Sequence, residues 1–408
     1  MGALTRLLAR AAERALGPPP RFRAEAFGGI VAVERPAALV YVDRARARAL
    51  GHDGGARWAE PEPASLAGAA LVAPVEVHMM LTSRCPVGCT GCYADSTPRG
   101  DGADLATAEW KEILDELAAA GVFHVALGGG ESVLREDLLE LARHARARGI
   151  VPNLTTSGVG VTDAWAREAA AVMGRINVSL DGTREVYTAS RGVDLFDTAV
   201  GALRTLRRHT RRVGINCVVS RLTYPHLEDL AALCAELGLD ELELLRFKPA
   251  GRGRAVFDRY DLTDAQRMGF LDAALDLHRH HGLRVRLDCS FLPFLAAHEP
   301  DPELLSRFGV LGCEGGNHLA AIKADGRVTA CSFWEEPEAG GDARRFREMW
   351  VAPGAFDVFR GFVDRAPEPC RSCRYLQICR GGCRAVAAHV DGLPTGPDPG
   401  CPKVLGLV

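Results

Sequence analysis

No stretch of the 408 residues is apolar for long enough to cross a bilayer, so no membrane-spanning helix is expected. Charge of one sign is also scarce. Lys and Arg number 49 against 52 Asp and Glu, a net charge of −3, which excludes the basic footprint of a nucleic-acid binder and any acidic tail. Residues 1–16 break up their leucines with Arg6, Arg10 and Arg14 and lack the apolar segment of a secretory signal. An amphipathic helix packing on the protein or on a partner is expected there. The basic stretch K-P-A-G-R-G-R, from Lys248 to Arg254, lacks the spacing of a phosphate loop and reads as a solvated connection. His278, His280 and His281 end a long helical pattern before Gly282, where cations complement the helix dipole without forming a metal site.

What the sequence does have is cysteine, 13 in all. Without a secretory signal they point to a reducing cytoplasm and metal binding, and away from disulfides. Cys85, Cys89 and Cys92 form C-P-V-G-C-T-G-C directly after an apolar, strand-like run. Three soft thiolates in one loop suit a soft metal or an iron-sulfur cluster. A structural zinc site closes with four ligands, and Tyr93, Ala94 and Asp95 supply no fourth Cys or His. One iron is thereby left open for chemistry.

The C-x3-C-x2-C spacing resembles that of the radical S-adenosylmethionine (SAM) superfamily, and Gly129-Gly130-Glu131 resembles its second signature. The resemblance runs from about residue 75 onward. It implies a 4Fe-4S cluster on the three cysteines, with SAM bound through its amine and carboxylate at the open iron. Reduction then yields a 5'-deoxyadenosyl radical that takes hydrogen from a substrate. Two positions depart from the pattern. Gly91 stands where the family has an aromatic that helps to hold the adenine, which leaves that task to Tyr93 or to backbone alone. Ser132 stands where the second signature continues with Pro; the Glu131 carboxylate, expected at the SAM amine, is retained.

Strands are expected at 75–81, 122–127, 151–155, 176–180, 214–219 and 242–247. Helices are expected at 107–120, 135–148, 163–173, 197–208 and 225–237. Such alternation implies a parallel sheet with right-handed crossovers, and resembles the partial (β/α)6 TIM-like barrel of radical SAM enzymes. The fold class expected is therefore α/β: a small N-terminal α+β module (1–74), the barrel (75–299) and a C-terminal iron-sulfur domain (300–408). Parallel barrels gather ligands at the C-terminal ends of their strands. That rule marks Thr155, Thr156, Ser157 and Gly158, whose hydroxyls could reach the SAM ribose, and the resemblance implies ribose or substrate contact for Ser179 and Asp181 and the SAM carboxylate for Arg191. Arg246 and Lys248 close the sixth strand.

After about residue 300 the cysteines resume at Cys313, Cys331, Cys370, Cys373, Cys379, Cys383 and Cys401. This array resembles the SPASM domain, which carries two auxiliary iron-sulfur clusters. The resemblance assigns Cys370, Cys373, Cys379 and Cys401 to the outer cluster, and Cys313, Cys331 and Cys383 to the inner one. The fourth inner position is either an open iron or a ligand from the loop Glu314 to His318, with Cys289 upstream. Cys217 and Cys234 are expected in the core. Auxiliary clusters handle electrons, which suits decarboxylation, dehydrogenation or crosslinking.

The peptide-maturase type of this family is the expected function: oxidative modification of a ribosomally made precursor peptide, with a flavodoxin- or ferredoxin-like reductant. The pattern R-x-E-x-F-G-G-I-V from Arg23 is similar to modules that take a leader peptide by strand addition. A small-molecule dehydrogenase or decarboxylase, and a metal-stabilised binding protein without catalysis, are the competing readings.

Overall fold

The computed structural model describes residues 20–34, 37–62, 71–338 and 340–408; the helix expected over 1–16 lies outside the described residues. The chain divides into two units, Met1–Val72 and Ala73–Val408.

In the first unit β1 (Arg21–Glu25), β2 (Gly28–Glu34) and β3 (Ala37–Asp43) form an antiparallel sheet in the order β1-β2-β3, and α1 (Arg44–Ala49) follows. The R-x-E-x-F-G-G-I-V pattern spans β1 and β2. Gly28 is needed at the β1–β2 turn, because its φ is +146° and a Cβ there would stand 2.2 Å from the Val42 carbonyl oxygen. Asp43 caps α1 by accepting the Arg46 N–H at 2.6 Å. Glu25, fully buried and paired with Arg23 at 2.7 Å, also accepts the Val72 N–H, which ties the end of the unit to its first strand.

The second unit is built on one sheet. Parallel strands β4 (Glu76–Thr82), β5 (His124–Gly129), β6 (Val151–Thr156), β7 (Ile176–Ser179), β8 (Val213–Val219), β9 (Glu241–Arg246) and β10 (Arg284–Leu287) lie side by side in chain order. From the C-terminal region, β11 (Leu319–Ile322) adds in parallel on the far side of β4, and β12 (Val328–Thr329) pairs with it antiparallel. The sheet ends at β10 and β12, so the barrel is partial. Helices α2 (Thr107–Ala120), α3 (Leu138–Ala147), α4 (Asp163–Val172), α5 (Arg184–Arg191), α6 (Phe196–His209) and α7 (Leu227–Glu236) fill the crossovers.

α2 shows the logic of the packing. Trp110, Ile113, Leu114 and Leu117 recur at helical spacing and are all buried, and Gly121 ends the helix in the left-handed region at φ +88°. Each such side chain stabilises by about 1.5–3 kcal/mol when removed from water, and Leu114→Ala alone would cost about 2–5 kcal/mol. Alternate strand residues, among them Val77, Val125, Leu154, Val178, Ile215 and Leu242, join that core. The opposite face is polar. Asn177 Nδ2 donates to Asn216 Oδ1 at 2.6 Å and to Glu243 Oε2 at 3.0 Å, and Asn216 Nδ2 donates to Thr155 Oγ1 at 3.2 Å. Packed barrels fill this face with branched aliphatics; here it carries a hydrogen-bonded network.

The histidines at the end of Phe270–His281 find partners within the chain. His278 contacts the Leu283 carbonyl at 2.8 Å, and His280 and His281 both pair with Glu228. No described helix is long and apolar enough to cross a membrane.

Candidate active site and iron-sulfur ligand sets

The loop after β4 carries Cys85, Cys89 and Cys92 at the C-terminal edge of the sheet. Cys85 donates its N–H to the Thr97 carbonyl at 2.8 Å, closing the loop on itself. Arg252 clamps it from outside: Nε donates to the Cys89 carbonyl at 3.1 Å, Nη1 to the Ser96 carbonyl and to Asp95 at 2.9 Å, and the Arg252 N–H to the Cys92 carbonyl at 3.0 Å. The stretch Lys248 to Arg254 is therefore not the solvated connection expected. Its glycines allow it to lie against the cysteine loop, a contact that charge and spacing alone do not encode.

Gly91 faces Phe247. A Cβ at position 91 would stand 2.8 Å from the Phe247 ring, so an aromatic borne by β9's end occupies the space beside the position where the family carries its own. Tyr93 turns towards the SPASM region, 5.1 Å from the Phe333 ring, and burial pushes its hydroxyl up to about 12.

At the end of β5, Gly129 and Gly130 press against the start of the cysteine loop. The Gly130 N–H donates to the Thr82 carbonyl at 2.7 Å and the Glu131 N–H to the Arg84 carbonyl at 2.9 Å, and a Cβ on Gly130 would meet the Arg84 carbonyl at 2.1 Å. The Glu131 carboxylate is buried and accepts from Thr156 Oγ1 at 2.8 Å, from the Ser157 N–H at 2.8 Å, from Ser157 Oγ, and from the Val133 N–H at 3.2 Å. Both oxygens are thus saturated from within the protein. Burial raises its pKa, and those donors work against the rise. Ser157 is Glu131's partner, so the two residues join the β5 and β6 loops into one rim. Glu131 also lies close enough to Cys85 to contribute, with burial, to raising that thiol's pKa.

Asp181 and Arg191 form a second rim. Arg191 Nε lies 2.8 Å from Asp181, which accepts the Val218 N–H at 2.9 Å, and Arg191 Nη1 lies 3.7 Å from Cys89 Sγ. Burial opposes the guanidinium charge, but Asp181 and Cys89 outweigh it and raise its pKa. Ser179 ends β7 opposite Asn216. Arg246 and Lys248 are turned elsewhere: Arg246 forms a buried bidentate pair with Asp398 at 2.6 and 3.2 Å, and Lys248 pairs with Asp288.

The C-terminal cysteines fall into two groups. Cys370, Cys373, Cys379 and Cys401 all stand in the wall of one small apolar cavity, with Pro369, Tyr375 and Leu376 around them. Cys313, Cys331 and Cys383 share a second neighbourhood, where burial, Cys313 and Cys383 push the Cys331 thiol up to about 12. Crowded, buried thiols of this kind are costly as thiolates until cations neutralise them, a donor set suited to iron-sulfur clusters. Among the described residues no three Cys, His, Asp or Glu close on a single metal ion. Asp398 was not foreseen: it accepts the N–H of Cys383 at 2.9 Å and that of Gly400 at 2.9 Å, joining the inner set to the loop that bears Cys401. The D-P-G-C stretch that contains it could have signalled a turn. Cys217 and Cys234 lie in the core as expected.

Known proteins place this arrangement. Residues 79–234 match the radical SAM superfamily model, and residues 313–374 match SPASM, an iron-sulfur cluster-binding domain. The chain is 34% identical over 344 residues to the mycofactocin maturase MftC of Mycolicibacterium smegmatis, covering 82% of this chain and 84% of that one. It is 31% identical over 342 residues to a PqqA peptide cyclase of Ruegeria pomeroyi, covering 81% and 88%. The fold matches SuiB of Streptococcus suis, solved bound to precursor peptide SuiA, with a TM-score of 0.72 at 17% identity, over 94% of this chain and 98% of that one. The chain is a radical SAM enzyme, with a 4Fe-4S cluster and SAM as its cofactors, and belongs to the branch of that superfamily that carries a C-terminal SPASM iron-sulfur domain.

Proposed function

We propose that the protein oxidatively modifies a ribosomally made peptide. The observation that carries this reading is identity above 30% across four-fifths of the chain to two relatives named as a maturase and a peptide cyclase. When bound and reduced, the SAM cluster supplies the electron that splits SAM and releases a radical able to take a substrate hydrogen atom.

The chain's own residues prepare that event. Cys85, Cys89 and Cys92 are the proposed ligands of the first cluster. Arg191 holds a positive charge beside Cys89, offsetting thiolate charge and favouring an anion such as the SAM carboxylate. Glu131, Thr156 and Ser157 fix the rim between β5 and β6, leaving backbone carbonyls and ring faces, Tyr93 and Phe247 among them, to meet SAM. The hydrogen-bonded face of Thr155, Asn177, Asn216 and Glu243 suits a polar side chain of the peptide. Cys370, Cys373, Cys379 and Cys401, with Cys313, Cys331 and Cys383, would hold the two auxiliary clusters, which could take up the electron that a substrate radical gives up as it becomes product. A flavodoxin- or ferredoxin-like protein is the proposed reductant, and the cytoplasm the proposed compartment.

The first unit suits leader capture. Among the described residues β3 pairs with a strand on one side only, so a peptide can add along its other edge. The likeness to SuiB covers more of the chain than the second unit alone could supply, which supports a role for both units. The test is anaerobic incubation of the enzyme with SAM, dithionite and each short peptide encoded beside its gene, read by mass spectrometry. Loss of hydrogen or of a carboxyl group from one of those peptides supports the reading; 5'-deoxyadenosine formation with every peptide mass unchanged points to a small molecule.

A further inference from the structure

Cys289 belongs to neither cysteine signature, yet the fold carries it to the inner group. It is the second residue after β10, at the C-terminal edge of the sheet, and both its chain neighbours are held by buried cations, Lys248 and Arg246. On one side, Asp288 accepts the Arg246 N–H at 3.0 Å and pairs with Lys248 Nζ. That ammonium lies 4.4 Å from the centre of the Phe333 ring, two residues beyond Cys331. On the other side, the Ser290 carbonyl accepts from Arg246 Nη1 at 3.5 Å. The same guanidinium chelates Asp398, whose carboxylate holds the Cys383 N–H.

Cys289 is thus set between a strut to Cys331 and a strut to Cys383. Its buried surroundings include Cys313, Glu314 and Lys248, and those of Lys248 include Cys383 in turn. The turn that bears it has little freedom, because Asp288 also accepts the Ser290 N–H at 2.8 Å and the Ser290 hydroxyl at 2.5 Å.

We propose that Cys289 is the fourth protein ligand of the inner auxiliary cluster, completing a set with Cys313, Cys331 and Cys383. The proposal rests on the reading that those three cysteines hold a cluster. A thiolate is a softer and better iron-sulfur ligand than the carboxylate or imidazole offered by the loop Glu314 to His318. Lys248, beside both Cys289 and Cys383, supplies a positive charge against the thiolates. The inner cluster then has no iron open to substrate and serves as an electron relay.

The test uses the full chain with Cys85, Cys89 and Cys92 all changed to Ala, which removes the SAM cluster's own open iron. This parent is compared with versions that also carry Cys289→Ala, Cys289→Ser or Cys331→Ala, each reconstituted anaerobically. Iron and sulfide are counted, and the EPR spectrum of the reduced protein is recorded with and without cyanide as a ligand for any open iron. The expected result is a parent spectrum insensitive to cyanide and, in Cys289→Ala, either loss of one cluster's iron or a signal that shifts when cyanide is added. Cys289→Ser keeps a possible oxygen ligand and is expected to alter the signal before cyanide is present. A cyanide-sensitive parent, or spectra and iron content unchanged in both Cys289 variants, overturns the proposal. Iron unchanged in Cys331→Ala overturns the three-cysteine reading itself, and the proposal with it.

Discussion

Gly251 lies against Cys92: a Cβ at position 251 would stand 2.6 Å from the Cys92 carbonyl oxygen and 2.7 Å from that of Tyr93, and the glycine's φ is +51°. The bulk and the conformation of any other residue oppose this contact together. Gly251→Ala is therefore expected to lift the Arg252 clamp from the cysteine loop and to lower iron content by up to about four per chain, one cluster's worth. Iron analysis after anaerobic reconstitution checks this; a full complement with normal SAM cleavage would mean that the loop does not depend on its strut.

Arg191 and Asp181 are a buried pair whose members should not be removed singly. Arg191→Met leaves Asp181, 3% exposed, without its cation, and breaking such a pair costs about 3–5 kcal/mol. Urea denaturation should show that loss, and Asp181→Asn in the same chain should restore more than half of it. Equal effects for the single and double variants would show that the pair is not coupled.

Much of this was legible in the sequence, and the reasons are physical. The strands from β4 to β9 carry core aliphatics at alternate positions with helical patterns between them, so each lies within two residues of its expected bounds. β10 escaped notice because its R-V-R-L alternates charge with aliphatic over four residues, too short a run to stand out. The nearness of Cys370, Cys373 and Cys379 is legible because spacing within one stretch determines which side chains can share a cavity wall. The partners of Glu131, Asp181 and Arg246 were not, since each comes from a different strand or from the far C-terminus and only the sheet order brings them together.

Glu314 is expected to make stability depend on pH. Burial, assisted by Glu76 and Asp288, raises its carboxyl from an ordinary 4.5 to about 7. A raised folded-state value contributes stability that is fully present below the unfolded value and lost as pH rises through the folded one. Between pH 5 and 7.5 the urea midpoint should fall by the equivalent of about 2–3 kcal/mol, and Glu314→Gln should flatten that decline. A decline equally steep in the variant would assign it to other groups.

Cys370→Ala opens the wall of the outer cavity. It should leave some uncoupled 5'-deoxyadenosine formation while product is lost, since in the proposed reading SAM cleavage and oxidation of the substrate radical draw on different clusters. Product yield unchanged from the parent would remove the electron-transfer role from the outer group.

The most direct measurement is the EPR spectrum of the reduced, anaerobically reconstituted protein, recorded with and without SAM and again in Cys92→Ala. A 4Fe-4S signal that changes when SAM is added, and that is absent from Cys92→Ala while the auxiliary signals remain, is the predicted result. A signal indifferent to SAM, or one that survives in Cys92→Ala, would contradict the account at its centre.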